Sequence, residues 1–228
     1  MGNGSLKTTL GFQQNQRKEY GDVLNPNQYG LYFHLNTLNY DVHYNLPEKN
    51  NFNVSFGVNG MQQSSQNRGT AFLVPEYDLF DIGVFTIAKK SMGKLDISGG
   101  LRYDTRTQQG EDLYIDAAGL KTTETVGTYQ QFTAFNTRFS GVSGSLGATY
   151  QFSERFYTKF NLARGFRAPN IAEIGANGIH DGTIRYEIGD PNLKAEYSLQ
   201  VDYALGINTK HISAEVDLFN NKIDRFIS

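Results

Sequence analysis

FYTKFNLARGFRAPNIAEIGANGIHDGTIRYEIGDPNLKAEYSLQVDY, from Phe156 to Tyr203, is the stretch of this 228-residue sequence that decides the fold. It opens with an apolar face at every second position from Phe156 to Leu162, which is the pattern of a half-buried strand. The alternation stops at Arg164, and a second alternating run begins at Tyr197. About thirty residues separate the two runs, far more than the usual 4–6 or so. Long connections on rigid strands tend to carry function.

The same alternation recurs along the chain and predicts about nine strands. The connections between them alternate strictly in length. Short ones lie near 46–51, 91–94, 153–154 and 208–210, and long ones near 15–28, 62–77, 108–127 and 167–196. This alternation is typical of an antiparallel up-and-down barrel with tight turns on one rim and long loops on the other. A change of phase between Leu35 and Leu38 predicts a β-bulge near Asn36 and Thr37.

Composition narrows the class of protein. Aromatic residues at 13% and 24 glycines suit a β-rich chain. A net charge of −2 leaves no basic surface for nucleic acid, and the absence of cysteine excludes disulfides and thiolate metal sites. No window approaches 18 apolar residues, so no transmembrane helix is predicted, whereas short alternating strands can still cross a bilayer. One strand face is polar and the other apolar, which favours a wet interior and a lipid-facing exterior.

Two motifs at the ends of the long connection resemble those of TonB-dependent outer-membrane receptors. In that family an R-G-F-R-A-P segment leaves a strand, and a G-N-P-N-L-K-P-E segment opens the next. Asp190 and Ala195 stand where that family has Asn and Pro, and Asp keeps the turn chemistry. The matching positions include Arg164, Gly165, Phe166, Arg167, Pro169, Gly189, Pro191, Asn192, Leu193 and Glu196.

The resemblance implies an all-β fold, an antiparallel up-and-down transmembrane β-barrel of roughly 22 strands. Residues 1–228 are then expected to form part of a single β-barrel domain, with about nine of its strands. The N-terminal plug, the signal peptide and the C-terminal strands of such a receptor are expected to lie outside this sequence.

The connection between the two motifs also holds the best candidates for ligand contact. They are His180, Asp181, Arg185, Tyr186 and Glu187. Imidazole and carboxylate can hold a divalent metal, while Arg and Tyr can hold an anionic or ferric–siderophore ligand. The alternative is a loop pinned by its own polar contacts. We assign no metal site and no cofactor.

A structural role is predicted for three charged residues of the motifs. Arg164, Arg167 and Glu196 flank the two ends of the connection, so we expect an ion pair that closes its base. Arg164→Ala is then expected to loosen the loop without abolishing folding. The Gly and Pro residues of the motifs are expected to shape turns.

The sequence offers no catalytic residues. None of His34, His43, His180 and His211 belongs to a metalloprotease motif, and no G-x-S-x-G elbow exists. The resemblance implies a receptor in the bacterial outer membrane, in contact with its lipid, that imports a ferric siderophore or another scarce nutrient. Energy would come from the TonB complex through the plug. The alternatives are a soluble, lectin-like β-rich module and a small outer-membrane barrel hydrolase, which needs a catalytic dyad at the loop rim.

Overall fold

The computed structural model describes residues 3–21, 23–180 and 185–227. Strands dominate it, and no helix in these ranges is long and apolar enough to cross a membrane. In chain order the elements are β1 (Ser5–Lys18), β2 (Tyr32–Asn45), β3 (Phe52–Asn67), β4 (Tyr77–Met92), β5 (Leu95–Gly110), β6 (Leu113–Ile115), β7 (Lys121–Thr122), β8 (Tyr129–Phe132), β9 (Phe135–Gln151), β10 (Phe156–Arg167), α1 (Ile171–Gly175), β11 (Asn177–His180), β12 (Arg185–Ile188), β13 (Glu196–Asn208) and β14 (Ser213–Asp224).

Nine long strands form one antiparallel sheet in the order β1-β2-β3-β4-β5-β9-β10-β13-β14. Each long strand therefore pairs with the next long strand along the chain, which is the up-and-down connection predicted from the sequence. The tight turns β2–β3, β4–β5, β9–β10 and β13–β14 lie at one rim. All long connections lie at the other, the loop rim. The predicted number of strands and the alternation of connections are confirmed.

The register places the apolar residues of neighbouring strands on a common side. Across β4, β5 and β9, for example, Val84 pairs with Tyr103 and Tyr103 pairs with Val142. We call this side the apolar face and the opposite side the polar face. The strands have 12–17 residues, more than the roughly 9–11 that cross a bilayer. The apolar band accordingly ends below the loop rim, as at Leu162 in β10 and Leu199 in β13.

The β-bulge predicted near Asn36 and Thr37 is wrong. The pairing of β2 with β1 and with β3 continues through these residues without a shift. Leu38 lies in the apolar band, whereas Leu35 lies on the polar face nearer the loop rim. Beyond the band the rim connections cover the strands, so a side chain can be buried on either face. His34, on the apolar side, is buried there.

The buried apolar core lies in and beside the loop rim. Apart from Ala204, the buried apolar side chains of the described residues belong to the long connections or to the strand ends next to them; they include Leu31, Leu73, Leu79, Leu113, Phe132, Ile171, Ile174 and Ala176. The sheet itself is a single layer with many exposed apolar side chains on its apolar face. The long connections are therefore packed structures that stabilise each other.

Two ion pairs lie on the polar face: one joins β4 to β5 and the other lies within β5. Arg106 donates from Nε and Nη2 to the two carboxylate oxygens of Asp81, at 2.7 Å each. Nε of Arg102 lies 2.7 and 2.8 Å from the carboxylate oxygens of Asp104. Such bidentate pairs are geometrically specific. Gly83 lies beneath the second pair, and a Cβ at this position would overlap both partners.

Gly83→Ala is expected to lower the thermal stability of the protein, because the methyl group must displace the Arg102–Asp104 pair. Overpacking of this kind costs about 1–3 kcal/mol. Gly147→Ala is the matched control, since its Cβ would meet its nearest neighbour, Oδ1 of Asn161, at an ordinary 3.4 Å. Thermal unfolding of the protein in detergent would measure both. Equal midpoints for the two variants would contradict the close approach at Gly83.

Candidate functional site

The long connection between β10 and β13 begins with a helix that its sequence encodes locally. Asn170 caps α1: its Oδ1 accepts from the Glu173 amide at 2.9 Å, and the Glu173 carboxylate accepts from the Asn170 amide at 2.8 Å. This reciprocal pair is a capping box, which satisfies two backbone donors at once. Pro169, just before the cap, has no N–H to donate to a strand ladder, so β10 does not continue through it.

Arg167 connects the beginning of this connection to its end. Its guanidinium donates to Glu173 at 3.0 Å and to Glu196, the first residue of β13, at 3.2 Å. The expected ion pair at the base of the connection is therefore present. A planar guanidinium suits this arrangement because it offers several donors in a fixed plane.

Arg164 takes no part in that pair. Its guanidinium donates to the Val142 carbonyl and stacks over the ring of Tyr197, 4.3 Å from the centroid. The reason is the period of the strand: positions 164 and 167 differ by three, so their side chains leave opposite faces of β10. Arg164 lies on the apolar face, at the edge of the band, and Arg167 on the polar face.

Glu196 lies at the loop rim, outside the apolar band. Its carboxylate accepts hydrogen bonds from Arg167 and from the Ile227 amide, 3.1 Å away. Both bonds favour the charged form and lower the pKa of Glu196 below its ordinary value of 4.5, and the larger effect comes from Arg167.

The rest of the connection is held against neighbouring loops. The fully buried Gln108 side chain donates to the Pro169 carbonyl at 2.8 Å. Asn177 exchanges hydrogen bonds with Gln131 in β8, donating from Nδ2 to its carbonyl at 2.7 Å. The Asn177 amide donates to the Leu73 carbonyl at 3.0 Å. Three separate connections thus meet at the start of β11.

β11 and β12 form a hairpin that divides the predicted ligand residues between two faces. Cross-strand partners are Ile179 with Tyr186 and His180 with Arg185. Because partners share a face, Tyr186 lies with Ile179, while His180, Arg185 and Glu187 lie on the other side. The predicted ligand residues that the structure describes therefore do not lie together in one binding site. Asp181, also among the predicted ligand residues, lies outside the described residues.

His180 and Glu187 contact groups of the chain itself. Nδ1 of His180 lies 3.1 Å from Glu187, and Nε2 lies 3.8 Å from Glu19, which follows β1. These contacts hold the hairpin to the end of the first strand. The interpretation of a loop pinned by its own polar contacts therefore describes this side of the hairpin well. Within the described residues no group of three or more His, Asp or Glu is placed to hold a metal ion.

The other side of the hairpin presents apolar and aromatic surface. The Tyr186 hydroxyl donates to Oδ1 of Asn177 at 2.7 Å, which fixes the ring while 54% of the residue stays exposed. Ile179 and Ile188 are exposed beside it. Among the predicted residues, Tyr186 combines a fixed position with an exposed aromatic surface. Arg185 is also exposed, on the opposite side.

Sequence reasoning missed an aromatic cluster next to the first strand. The Tyr29 ring lies 5.2 Å from Tyr20 and 5.4 Å from Tyr32, both edge-on, and the Lys18 ammonium lies within 5 Å of two of these rings. Tyr20 and Tyr29 belong to a polar connection without periodicity, between β1 and β2. The only signal was the number of tyrosines around it, which does not reveal that they meet.

The family model described as "TonB dependent receptor-like, beta-barrel" matches residues 2–228. The chain therefore belongs to the β-barrel domain family of TonB-dependent receptors. No curated protein matches the sequence significantly. The matched family and the similar structures are receptors and transporters, not enzymes.

Solved structures show the same fold at low sequence identity. The FrpB iron transporter from Neisseria meningitidis (F3-3 variant) is similar with a TM-score of 0.66 and 16% identity over 96% of this chain. The copper transporter OprC is similar with a TM-score of 0.67 and 13% identity over 98% of this chain. The ferric-catecholate import receptor Fiu from E. coli K12 is similar with a TM-score of 0.64 and 13% identity over 97% of this chain. This chain covers 33%, 37% and 38% of those chains, respectively, so it spans about a third of their length.

Arg167→Ala is expected to make the connection 168–195 more accessible to protease, because it releases both α1 and the start of β13. Arg164→Ala, which from the sequence is expected to loosen the loop, is the comparison variant. It should increase cleavage less, since Arg164 contacts neither α1 nor Glu196 and reaches the start of β13 only through the Tyr197 ring. Limited proteinase K digestion of the complete receptor, with cleavage sites mapped by mass spectrometry, measures this. Greater cleavage in Arg164→Ala than in Arg167→Ala would contradict the assignment.

Acid is expected to loosen the same connection. Folding lowers the pKa of the Glu196 carboxylate, so the charged group stabilises the folded state at pH values above the pKa of the unfolded chain. This stabilisation is lost as the pH falls through the lower pKa of the folded state. Hydrogen exchange in 168–195, corrected for intrinsic rates, should therefore rise below about pH 4.5. Glu196→Gln should exchange faster at neutral pH and lose most of the pH dependence. An unchanged pH profile in this variant would show that another group titrates.

Proposed function

We propose that the complete protein is a receptor of the bacterial outer membrane for energy-coupled uptake of a ferric siderophore or another metal complex. In this proposal the apolar face lies against lipid, the polar face lines the barrel interior, and the loop rim captures the ligand. Coupling to the TonB complex would pass through a plug domain that residues 1–228 do not include.

The observation that carries the proposal is the packed loop rim. A transporter needs a surface outside the bilayer that holds ligand-contacting side chains in place. Here α1, the β11–β12 hairpin and the β6–β8 sheet bury a common core while Tyr186, Ile179 and Arg185 remain exposed. The transporters with similar folds are described by iron, copper and ferric-catecholate cargo, which supports a metal complex as ligand class.

The chemistry of the exposed groups fits such a ligand. Metal chelates of this kind present aromatic or apolar surface together with negative charge. A fixed tyrosine ring offers rigid contact area at little entropic cost. An exposed guanidinium offers charge-assisted donors to an anion. His180 and Glu187 support the hairpin in this scheme and do not ligate the metal.

The soluble and hydrolase alternatives are less well supported. A soluble module with this sheet would expose an extended apolar face to water, which soluble proteins avoid. A hydrolase would need a nucleophile and base in contact at the loop rim, whereas His180 there contacts the carboxylates of Glu19 and Glu187.

Tyr186→Ala is expected to weaken ligand binding about 30-fold, since truncating an aromatic anchor costs about 2 kcal/mol. The complete receptor would be expressed in a strain lacking its own siderophore receptors. Uptake of radioactive iron from a panel of purified ferric siderophores would identify the ligand, and equilibrium binding would give Kd. Tyr129→Ala, at 56% exposure in β8, is the matched control and should retain binding.

The two parts of the proposal can fail separately. Uptake of no metal complex in the panel would reject the ligand class. Uptake that is equally reduced in both tyrosine variants would reject the hairpin contact while leaving the receptor function in place.

A further inference from the structure

A cavity of about 630 Å³ lies at the loop rim, where the connection from β1 to β2 meets the start of the connection from β3 to β4. We call it the turn cavity. Cavities that hold small molecules generally measure about 300–1,000 Å³. The lining residues on which its chemistry depends are Asn25, Asn27, Gln28, Tyr29, Arg68 and Thr70.

One wall of the turn cavity is a β-turn that the sequence encodes locally. The Gln28 amide donates to the Asn25 carbonyl at 2.9 Å, which closes the turn. Pro26 occupies the second position, where its fixed φ is favoured, and Asn is favoured at the first. The turn is exposed and carries amide side chains at three of its four positions. Each side-chain amide can both donate and accept hydrogen bonds.

Tyr29 lines the turn cavity beside this turn, and its ring is held in place by the aromatic cluster. Tyr20 and Tyr32 meet it edge-on, with ring centroids 5.2 and 5.4 Å away, and the Lys18 ammonium lies 4.8 Å from its centroid. The Tyr29 carbonyl accepts from the amide and the hydroxyl of Thr70, each at 3.2 Å. The ring is therefore in position before a ligand arrives.

Gly69 lets the second connection approach closely enough to complete the turn cavity. A Cβ on Gly69 would overlap the Gly30 carbonyl oxygen. The next residue back, Arg68, donates from its backbone amide to the Tyr32 carbonyl at 2.8 Å. Its guanidinium donates to Oε1 of Gln66, a neutral partner, at 3.0 Å. Since a guanidinium has five N–H donors, further donors are available to a ligand.

We propose that the turn cavity binds a saccharide. A sugar hydroxyl both donates and accepts hydrogen bonds, which matches the amides of Asn27 and Gln28. A sugar ring also has an apolar C–H face that packs on an aromatic ring, and Tyr29 supplies that surface. The oxygens of an anionic metal complex only accept, so a site for such a complex would need more positive charge than Arg68 provides.

The saccharide is a second ligand and not the cargo of the proposed function. The turn cavity and the β11–β12 hairpin belong to different connections, and the exposed residues of the hairpin do not line the cavity. Two sources can supply a saccharide at this rim: a free oligosaccharide, or the glycan of a glycolipid in the surrounding membrane. The chemistry of recognition is the same for both.

The first test applies the complete receptor in detergent to an array of oligosaccharides, and titration calorimetry with a bound oligosaccharide gives Kd. Tyr29→Ala should weaken binding about 30-fold, the effect of truncating an aromatic anchor. Asn27→Ala should weaken it about fivefold, the effect of one hydrogen bond. Tyr20→Ala is the matched control, because Tyr20 is 57% exposed in the same cluster but does not line the cavity. It should weaken binding less than either.

The second test distinguishes the two sources. Native mass spectrometry of the same receptor counts adducts of lipopolysaccharide with a complete glycan and with a truncated one. Adducts of the complete form alone that are lost in Tyr29→Ala identify a glycolipid, whereas array binding lost in Tyr29→Ala identifies a free oligosaccharide. Heat-modified mobility on a gel verifies that each variant is folded.

Three outcomes would overturn the inference: no saccharide binding in either test, equal losses in Tyr20→Ala and Tyr29→Ala, or binding of a ferric siderophore that Tyr29→Ala abolishes. Uptake of no metal complex would reject the proposed cargo and leave the saccharide site in place. The two failures are therefore distinguishable.

Discussion

Backbone hydrogen bonding between neighbouring strands is the constraint on which the rest of the structure depends. The pairing runs without a shift through each contact of the nine-strand sheet. Because side chains alternate strictly, an unshifted register sorts every residue onto the apolar or the polar face. That sorting places Arg106 beside Asp81 on one side and aligns Leu101, Leu146 and Leu162 on the other. A slip of one residue in any strand would exchange the two faces.

Much of this arrangement was predictable from the sequence, because period-two alternation is a local signal. The nine strands, their order and the alternating rims followed from it. The predicted bulge was wrong because apolar residues near Leu35 were treated as part of the apolar band, although they lie beyond it. These strands extend past the apolar band, and beyond it an apolar side chain packs against the rim connections that cover the strands.

The candidate site was predictable only in part, and for physical reasons. The capping box of Asn170 and Glu173 is a local motif that was open to prediction and was overlooked. The separation of Arg164 from Arg167 also follows from strand alternation. The contacts of His180 with Glu19, and of Asn177 with Gln131, join residues far apart in the chain. No local pattern contains such contacts, because they depend on how three long connections fold over each other.

The common core beneath the long connections has a consequence for how such a receptor can diversify. Phe135 and Pro75 border Gly175, and the Phe72 and Leu73 backbone borders Gly178, so side chains or backbone from different loops fill each other's gaps. Exchanging one of these loops alone would leave the remaining loops without their packing partners. The connections 68–76, 111–134 and 168–195 therefore form one packed unit. Recombination that moves them together onto another set of strands would keep the unit intact, whereas crossovers between them would break it.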